Sequence, residues 1–274
     1  MITFVQRRTR AISLSIVLAL SFMGTMWLLD ISLRGSTYAS GYVLLTLLVV
    51  LMLFNVRKKL PFLPLCSASS WLQFHVYAGL LSIVVFLAHT GFRWPSGVLE
   101  SSLACFYWGV ALSGVVGIFL SRAIPPRLNI RGEEVIFERI PVYHRRLRDQ
   151  VQKLVLASVV ETEAKTISDF HNRTSADFFN GPRHFWSHLL QSTRPRHEIL
   201  KELSALDRYL NDREREISRS LAELIEAKDN LDYQWTMQWV LKRWLFVHIP
   251  LTYGMMIIAV IHAILAHAFF GGLR

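Results

Sequence analysis

The chain has 274 residues, 52% of them hydrophobic, and a formal net charge of +10 at pH 7. Soluble domains of this size seldom combine so apolar a composition with so uneven a charge distribution: 18 of the 20 acidic residues lie between Arg122 and Arg243. The composition therefore predicts a membrane part interrupted by one polar segment. The basic balance indicates membrane topology and excludes nucleic acid as the expected partner.

Five stretches of the chain are long and apolar enough, or nearly so, to cross a bilayer, which takes about 20 residues of helix. In chain order they are Ala11–Leu29, Ser40–Val56, Trp71–Phe92, Ser102–Leu120 and Trp244–Phe270. The first follows a cluster of arginines, and no small-x-small cleavage site comes after it. We therefore expect a retained signal anchor rather than a cleaved signal peptide.

Basic residues predict the orientation of these spans, because lysine and arginine accumulate on the cytoplasmic side of a membrane. They precede the first span, follow the second at residues 57–59, and follow the fourth at Arg122 and Arg127. Placing all of them inside gives a consistent alternation. We expect a multi-pass protein of the inner (cytoplasmic) membrane, with a cytoplasmic N-terminus and insert and a C-terminus, Gly271–Arg274, outside.

The polar segment between the fourth and fifth spans is typical of packed helices. Leucines recur at three- and four-residue steps from residue 200 to residue 210, and prolines, beginning with Pro125 and Pro126, punctuate the segment. It holds no glycine-rich phosphate loop, so no flavin or NADPH domain is expected. We predict an all-α polytopic bundle with four spans in 1–123, a helical cytoplasmic insert in 124–242, and the fifth span in 243–274.

Histidines occur at equal spacing in the third and fifth spans. His75 and His89 lie 14 residues apart, as do His248 and His262. Fourteen residues of α-helix return to within about 40° of the starting direction and rise about 21 Å. Each pair therefore lies on one helix face, with one histidine towards each side of the membrane. Ionisable residues at this depth are rare and mark functional sites.

The third and fifth spans run in the same direction, because one further span separates them. His75 is then expected at the inner depth of His248, and His89 at the outer depth of His262. Two facing imidazoles suit axial ligation of a low-spin haem iron, whereas unligated imidazoles would leave polar nitrogens unsatisfied in the membrane. The sequence therefore predicts two b-type haems, bound non-covalently because no C-x-x-C-H motif occurs.

Small and basic residues near these histidines are the candidate haem contacts. Gly79 lies one turn after His75, and Gly114 belongs to a small-residue surface of the fourth span, where a flat macrocycle can approach the backbone. Haem propionates need cations at the membrane edge. Arg93 is the candidate at the outer haem, and the candidates at the inner haem are Arg122, Lys242 and Arg243.

The remaining chemistry-bearing residues are assigned ordinary roles. His267 lies about 140° round the helix from the last ligand, so we expect an interfacial residue. His184 and His188 have the spacing of a zinc pair, but the glutamate of H-E-x-x-H is missing, which favours a packing or surface role. Cys66 and Cys105 are too few for an iron–sulfur cluster and are expected to pack as small apolar side chains.

The two 14-residue spacings, with the H-x-x-x-G stretch His75–Gly79, resemble respiratory cytochrome b and the transmembrane haem domains of ferric reductases and NADPH oxidases. The resemblance covers about four helices and implies a bis-haem core, and the insert has no counterpart in it. We expect transmembrane electron transfer by the cytochrome b subunit of a redox complex, with no catalytic residue of its own.

Partners are expected because the chain offers no evident terminal donor or acceptor site. The candidates are a quinone, an external multihaem cytochrome, and a cytoplasmic iron–sulfur or flavin protein. Two other functions stay open. A membrane-bound quinone or ferric reductase would use the same haems with a substrate pocket at one haem edge, and a haem-free transporter or sensor would use the histidines for protons.

Overall fold

The computed structural model describes residues 4–32, 36–59, 67–130, 135–162 and 165–270. In chain order its α-helices are α1 (Phe4–Ile31), α2 (Ser36–Lys59), α3 (Ala68–His89), α4 (Val98–Ile130), α5 (Ile140–Thr162), α6 (Thr166–Phe170), α7 (Ala176–Phe179), α8 (Phe185–Leu189), α9 (Arg194–Leu206) and α10 (Asp212–Phe270). The described residues contain no strand. Cys66 and the C-terminal Gly271–Arg274 lie outside them.

Five of the described helices, α1 to α4 and α10, are long and apolar enough to cross a membrane. The all-α fold class and the five predicted spans are therefore confirmed. The chain divides into two compact units, which we call the membrane unit (Met1–Phe119 and Trp244–Arg274) and the polar unit (Leu120–Arg243). The predicted insert, 124–242, falls within the second.

The membrane unit exposes much of its apolar surface, as expected for helices that face lipid. On α1, for example, Leu20 and Trp27 remain 67% and 64% exposed. Inward-facing side chains of α2, α3, α4 and α10 form one packed cluster, built from Leu44, Leu48, Val85, Phe86, Ala104, Tyr107 and Met255. At its centre the rings of Phe86 and Tyr107 stack with centroids 4.0 Å apart.

Helix α3 ends at His89, three residues before the predicted end of the third span. The backbone N–H of Thr90 donates to the carbonyl of Phe86, and the chain then turns through Gly91 and Phe92, both at positive φ (60° and 58°). A glycine in this left-handed conformation is a common helix stop. The stop fixes His89 as the last helical residue of α3.

Pro125 and Pro126, which the sequence predicts as breaks, lie inside α4, and Pro250 lies inside α10. A proline removes one backbone hydrogen bond and bends a helix, so continuation needs compensation from packing. Ile124 and Leu128, on either side of the proline pair, are each only 3% exposed. They pack in one cluster with Tyr233 and Met237 of α10, which stabilises the continuous helix.

The polar unit has a core of its own, formed by apolar residues of α5 to α7, α9 and α10: Val151, Val155, Ile167, Phe170, Phe178, Phe179, Ile199, Leu203, Leu210, Ile217, Leu221 and Ile225. Beside it lies a buried polar network. Lys228 Nζ donates to the carbonyl of Gly181 at 2.7 Å and to the carboxylate of Asp232, and His144 Nε2 lies 3.0 Å from the other oxygen of Asp232. The network ties α5 and the segment before α8 to α10.

Candidate functional site

A cavity of about 410 Å³ lies in the membrane unit, with walls from α2, α3, α4, α10 and the turn after α3. Both members of the predicted outer pair, His89 and His262, line it. The volume falls within the range of small-molecule and cofactor pockets, about 300–1,000 Å³.

His89 is held at the end of α3 by contacts from α2. Its Nδ1 lies 3.1 Å from the carbonyl oxygen of Thr37 and 3.1 Å from Oγ of Ser40. A ring nitrogen that faces a carbonyl carries the proton and donates it, because a carbonyl can only accept. The lone pair is then on Nε2, the nitrogen available to a metal.

Gly41 gives the His89 ring the space it occupies. A Cβ atom built at Gly41 would lie 3.1 Å from Cε1 of His89, closer than ordinary van der Waals contact. Any larger residue at position 41 would therefore press on the imidazole. Gly41 is therefore a close-approach position at the outer site.

His262 presents the same nitrogen to a protein partner. Its Nδ1 lies 3.8 Å from Oε1 of Glu100, at the start of α4, and the Glu100 side chain is 45% exposed. The distance is too long for a hydrogen bond but short enough for a direct electrostatic interaction. A carboxylate on the far side of a histidine ring is a recurrent arrangement behind metal ligands.

His267 also lines the cavity, but its protein partner is on Nε2, whereas the partners of His89 and His262 are on Nδ1. Its Nε2 forms a hydrogen bond with the hydroxyl of Tyr42, and its ring stacks on Tyr38 with centroids 6.4 Å apart. The nitrogen that remains free in His89 is thus engaged in His267. The sequence suggests an interfacial residue at this position, and the structure adds a place in the cavity wall.

The inner pair has a different setting, and neither of its members lines the 410 Å³ cavity. Nδ1 of His248 lies 2.6 Å from Oγ of Ser113 on α4, so the measured partner of this ring also lies on the Nδ1 side. His75 packs against the ring of Phe54, with centroids 5.0 Å apart. Three of the four ligand candidates therefore turn Nδ1 towards a protein oxygen.

The predicted glycine and arginine contacts in the membrane unit are placed as follows. Arg93 is exposed in the turn after α3 and lines the cavity, where its cation can meet a propionate. Apart from the neighbouring backbone of its own helix, no atom of the described residues lies within 4 Å of a Cβ built at Gly79, and a Cβ at Gly114 would make ordinary contact with His248 Cε1 at 3.8 Å. Gly79 thus leaves open space one turn from His75.

The predicted inner cations belong to the polar unit. Lys242 forms an ion pair with Glu138 and lies 4.2 Å over the ring of Phe137, and the hydrogen bond from Lys242 holds the pKa of Glu138 below its ordinary value. Arg243 lies 5.1 Å over the ring of Trp239, and Arg122 is exposed on α4. Their role at an inner haem stays a prediction.

Within the described ranges, no three histidine, cysteine, aspartate or glutamate side chains come together in a way that could hold a metal ion. A haem iron needs only two ligands from the protein, because the macrocycle supplies four and two axial side chains complete the set. The donor set of the outer site, two imidazoles with free Nε2 atoms beside a cofactor-sized cavity, fits this group.

The structure also identifies residues that sequence reasoning missed: Thr37, Ser40, Gly41, Glu100 and Tyr42. Each acts on a histidine of another helix, so no periodicity within one helix could reveal it. Of these five residues, Glu100 is the one that the sequence could have indicated, because it and Asp30 are the two acidic residues outside 122–243. A charge retained in an apolar region is a functional candidate.

No family model, no curated protein and no solved structure matches this chain. The residues and their geometry therefore carry the functional argument.

Proposed function

We propose that the protein is a membrane cytochrome b that carries electrons across the bilayer through two b-type haems, as a subunit of a redox complex. One observation carries the proposal: His89 and His262, from two different helices, line one cavity of cofactor size. The equal 14-residue spacing adds His75 and His248 as the ligands of a second, inner haem.

The outer site has the parts that a haem requires. His89 and His262 would supply the axial nitrogens, and Arg93 the cation for a propionate. Leu44, Phe86 and Met255 line or border the cavity as buried apolar side chains that exclude water. A bound haem supplies reversible one-electron chemistry, while the protein sets ligation, spacing and a dry environment that tunes the potential.

The proposed topology follows the basic residues. The N-terminus and the polar unit are cytoplasmic, the C-terminus is outside, and the membrane is the inner (cytoplasmic) membrane. In this topology the 410 Å³ cavity lies towards the outer side of the membrane. His89 and His262 each come 14 residues after their inner counterparts, on spans that run from the cytoplasm outwards. The proposed partners are a quinone, an external multihaem cytochrome, and a cytoplasmic iron–sulfur or flavin protein.

A quinone reductase is the second candidate function, favoured by the Tyr42–His267 pair. This pair lies in the wall of the same cavity as the ligand candidates, with the Tyr38 ring stacked on His267. An aromatic surface next to a hydrogen-bonding pair suits a ring that carries carbonyl or hydroxyl groups. Ferric reductase activity has no comparable observation in its favour.

Absorption spectroscopy of the purified protein tests the proposal. We expect a reduced b-type α band and about two haems per chain, and the single variants His75→Ala and His262→Ala should each retain one. His197→Ala is the matched control, because this histidine of α9 is exposed and its ring nitrogen lies 3.0 Å from the carbonyl oxygen of Thr193, one turn earlier in the chain. Absence of haem would favour the transporter or sensor, and two haems in both variants would contradict the ligand assignment.

Adding a water-soluble quinol to the oxidised protein separates the carrier from the quinone reductase. Rapid haem reduction in the wild type, slowed in His267→Ala at unchanged haem content, would support a quinone site. Equal rates of haem reduction in the wild type and His267→Ala would instead support an electron carrier that is reduced by a protein partner.

A further inference from the structure

The inner ligand candidate His248 is surrounded by a set of contacts between α4 and α10 that centres on Ser113. The hydroxyl oxygen of Ser113 lies 2.6 Å from His248 Nδ1. The carbonyl oxygen of the same residue accepts a hydrogen bond of 2.8 Å from Nε1 of Trp244. Ser113 therefore holds His248 with its side chain and Trp244 with its backbone.

Trp244 acts on the face of the same imidazole. It lies one turn before His248 on α10, and the two rings stack with centroids 5.3 Å apart and an interplanar angle of 25°. The hydrogen bond to Ser113 fixes the indole, and the indole covers one face of the imidazole. The imidazole is thus held at its edge by Ser113 and at its face by Trp244.

Two glycines of α4 make this arrangement sterically feasible. A Cβ built at Gly117 would overlap the six-membered ring of the Trp244 indole, so any side chain there would displace it. A Cβ at Gly114 would touch Cε1 of His248 at 3.8 Å, so a larger side chain there would meet the imidazole. The small-residue surface of the fourth span thus gives room to these two rings.

We propose that Ser113 and Trp244 are positioning residues for the inner haem ligand. With Nε2 of His248 bound to the iron, Nδ1 carries the proton and donates it to the Ser113 hydroxyl, while Trp244 sets the plane of the ring. A partner on the second nitrogen fixes the tautomer and orientation of a metal-bound histidine. The inference depends on the proposed function, because it assigns a role to His248 as a ligand.

Ser113 is also the anchor that a substitution can remove cleanly. The Nδ1 atom of His89 is held in part by the backbone carbonyl of Thr37, which no side-chain variant deletes. His248 depends on a hydroxyl alone among its measured Nδ1 contacts. Replacing that hydroxyl should therefore change the inner haem and leave the outer one as it is.

The test uses the purified full-length protein and compares Ser113→Ala with Ser113→Thr. Loss of a partner behind a metal ligand typically costs 10–100-fold in affinity, so we expect the inner haem of Ser113→Ala to bind about 10- to 100-fold more weakly. Its low-spin electron paramagnetic resonance signal and its midpoint potential should shift. Ser113→Thr keeps a hydroxyl and should restore all three, and Trp244→Phe should shift the resonance signal alone.

Ser102→Ala is the matched control, since the Ser102 hydroxyl lies on the same helix and donates to the carbonyl of Val98 within that helix. It should leave both haems unchanged. Wild-type resonance and affinity in Ser113→Ala would overturn the inference, and so would equal changes in both haems, which would indicate general loosening of the bundle. A wild-type protein without haem would instead overturn the proposed function.

Discussion

The two units differ in what surrounds most of their histidines. In the polar unit, His144 lies against Asp232 and His188 lies 3.8 Å from Asp229, all of them buried in packed protein. In the membrane unit, His89 and His248 are held at Nδ1 by neutral carbonyl or hydroxyl oxygens, and His89 borders a cavity.

The partner of each ring explains the difference. A buried carboxylate beside an imidazole in a packed core ties two elements together electrostatically. A neutral anchor at Nδ1, beside an open space, fixes the ring but leaves Nε2 to be satisfied by something else. We therefore interpret His89 as a ligand candidate, and His262 shares its cavity although the Nδ1 atom of His262 faces the carboxylate of Glu100.

The largest expected effect comes from replacing a cavity histidine that has a free Nε2. His89→Ala should lose one of the two haems completely, because a b-type haem is held by its axial ligands and not by covalent bonds. His267→Ala removes a histidine from the same cavity whose Nε2 already bonds Tyr42, and it should keep both. A pyridine haemochrome assay on the purified variants measures the count.

The reverse outcome, haem loss in His267→Ala and retention in His89→Ala, would contradict the distinction between the two kinds of histidine within the cavity. It would identify His267 as a haem ligand in place of His89, and the equal spacing of the histidines would no longer support the ligand assignment.

The second prediction concerns a substitution in the buried polar network around Asp232 in the polar unit. Asp232 receives hydrogen bonds from Lys228 and from the backbone N–H of Arg183 and faces His144. Asp232→Asn keeps the volume but removes the charge opposite a buried ammonium, and breaking such a pair costs about 3–5 kcal/mol. Hydrogen exchange should rise across α5 and α8, while both haems remain bound.

Asp212→Asn provides the control for this variant. Asp212 also pairs with a cation, Arg215, but its side chain is fully exposed, so its replacement should change hydrogen exchange little. Loss of haem in Asp232→Asn at intact folding would show that the network serves the membrane site and is more than structural.

The third prediction addresses the space around His89. In Gly41→Ala the new Cβ must displace the His89 ring by a few tenths of an ångström, at a cost of about 1 kcal/mol for an off-rotamer side chain. The outer haem should bind about five-fold more weakly, although alanine favours the α2 helix itself. Haem titration into the haem-depleted protein measures the affinity.

Gly24→Ala on α1 is the matched control, because no atom of the described residues beyond the neighbouring helix backbone lies within 4 Å of a Cβ built at Gly24. Equal haem affinity in the two alanine variants would mean that the His89 ring has more freedom than its contacts with α2 indicate.

The two units also show which structural features could be predicted from the sequence. Hydropathy and periodicity predict the five spans and the helical nature of the polar unit, because both depend on residues close in the chain. The spacing of His89 and His262 predicts that they share a depth, and they share a cavity. Spacing carries no information on their anchors, because Thr37, Ser40 and Glu100 reach them from other helices.

The prolines show a different limit of sequence reasoning. Pro125 and Pro126 predict a helix end from local backbone chemistry, yet α4 continues to Ile130. Burial of Ile124 and Leu128 against Tyr233 and Met237 of α10 outweighs the lost hydrogen bonds, and these two partners lie more than 100 positions further along the chain. A long-range contact of this kind cannot be read from the local pattern.

The smallest effect is expected at the surface of the polar unit, where the carboxylate partner of a cation is exposed instead of buried. The hydrogen bond from Lys242 lowers the pKa of Glu138 from its ordinary value of 4.5. A lowered carboxyl pKa stabilises the fold above the unfolded-state value and loses that contribution as the pH falls through the folded-state value. Wild type and Glu138→Gln should therefore differ in melting temperature slightly at pH 7 and converge as the pH falls well below 4.5, with haem content unchanged. A difference that grows on acidification would reverse the sign of this linkage, and a difference as large as that of Asp232→Asn would show that exposure does not weaken the pair.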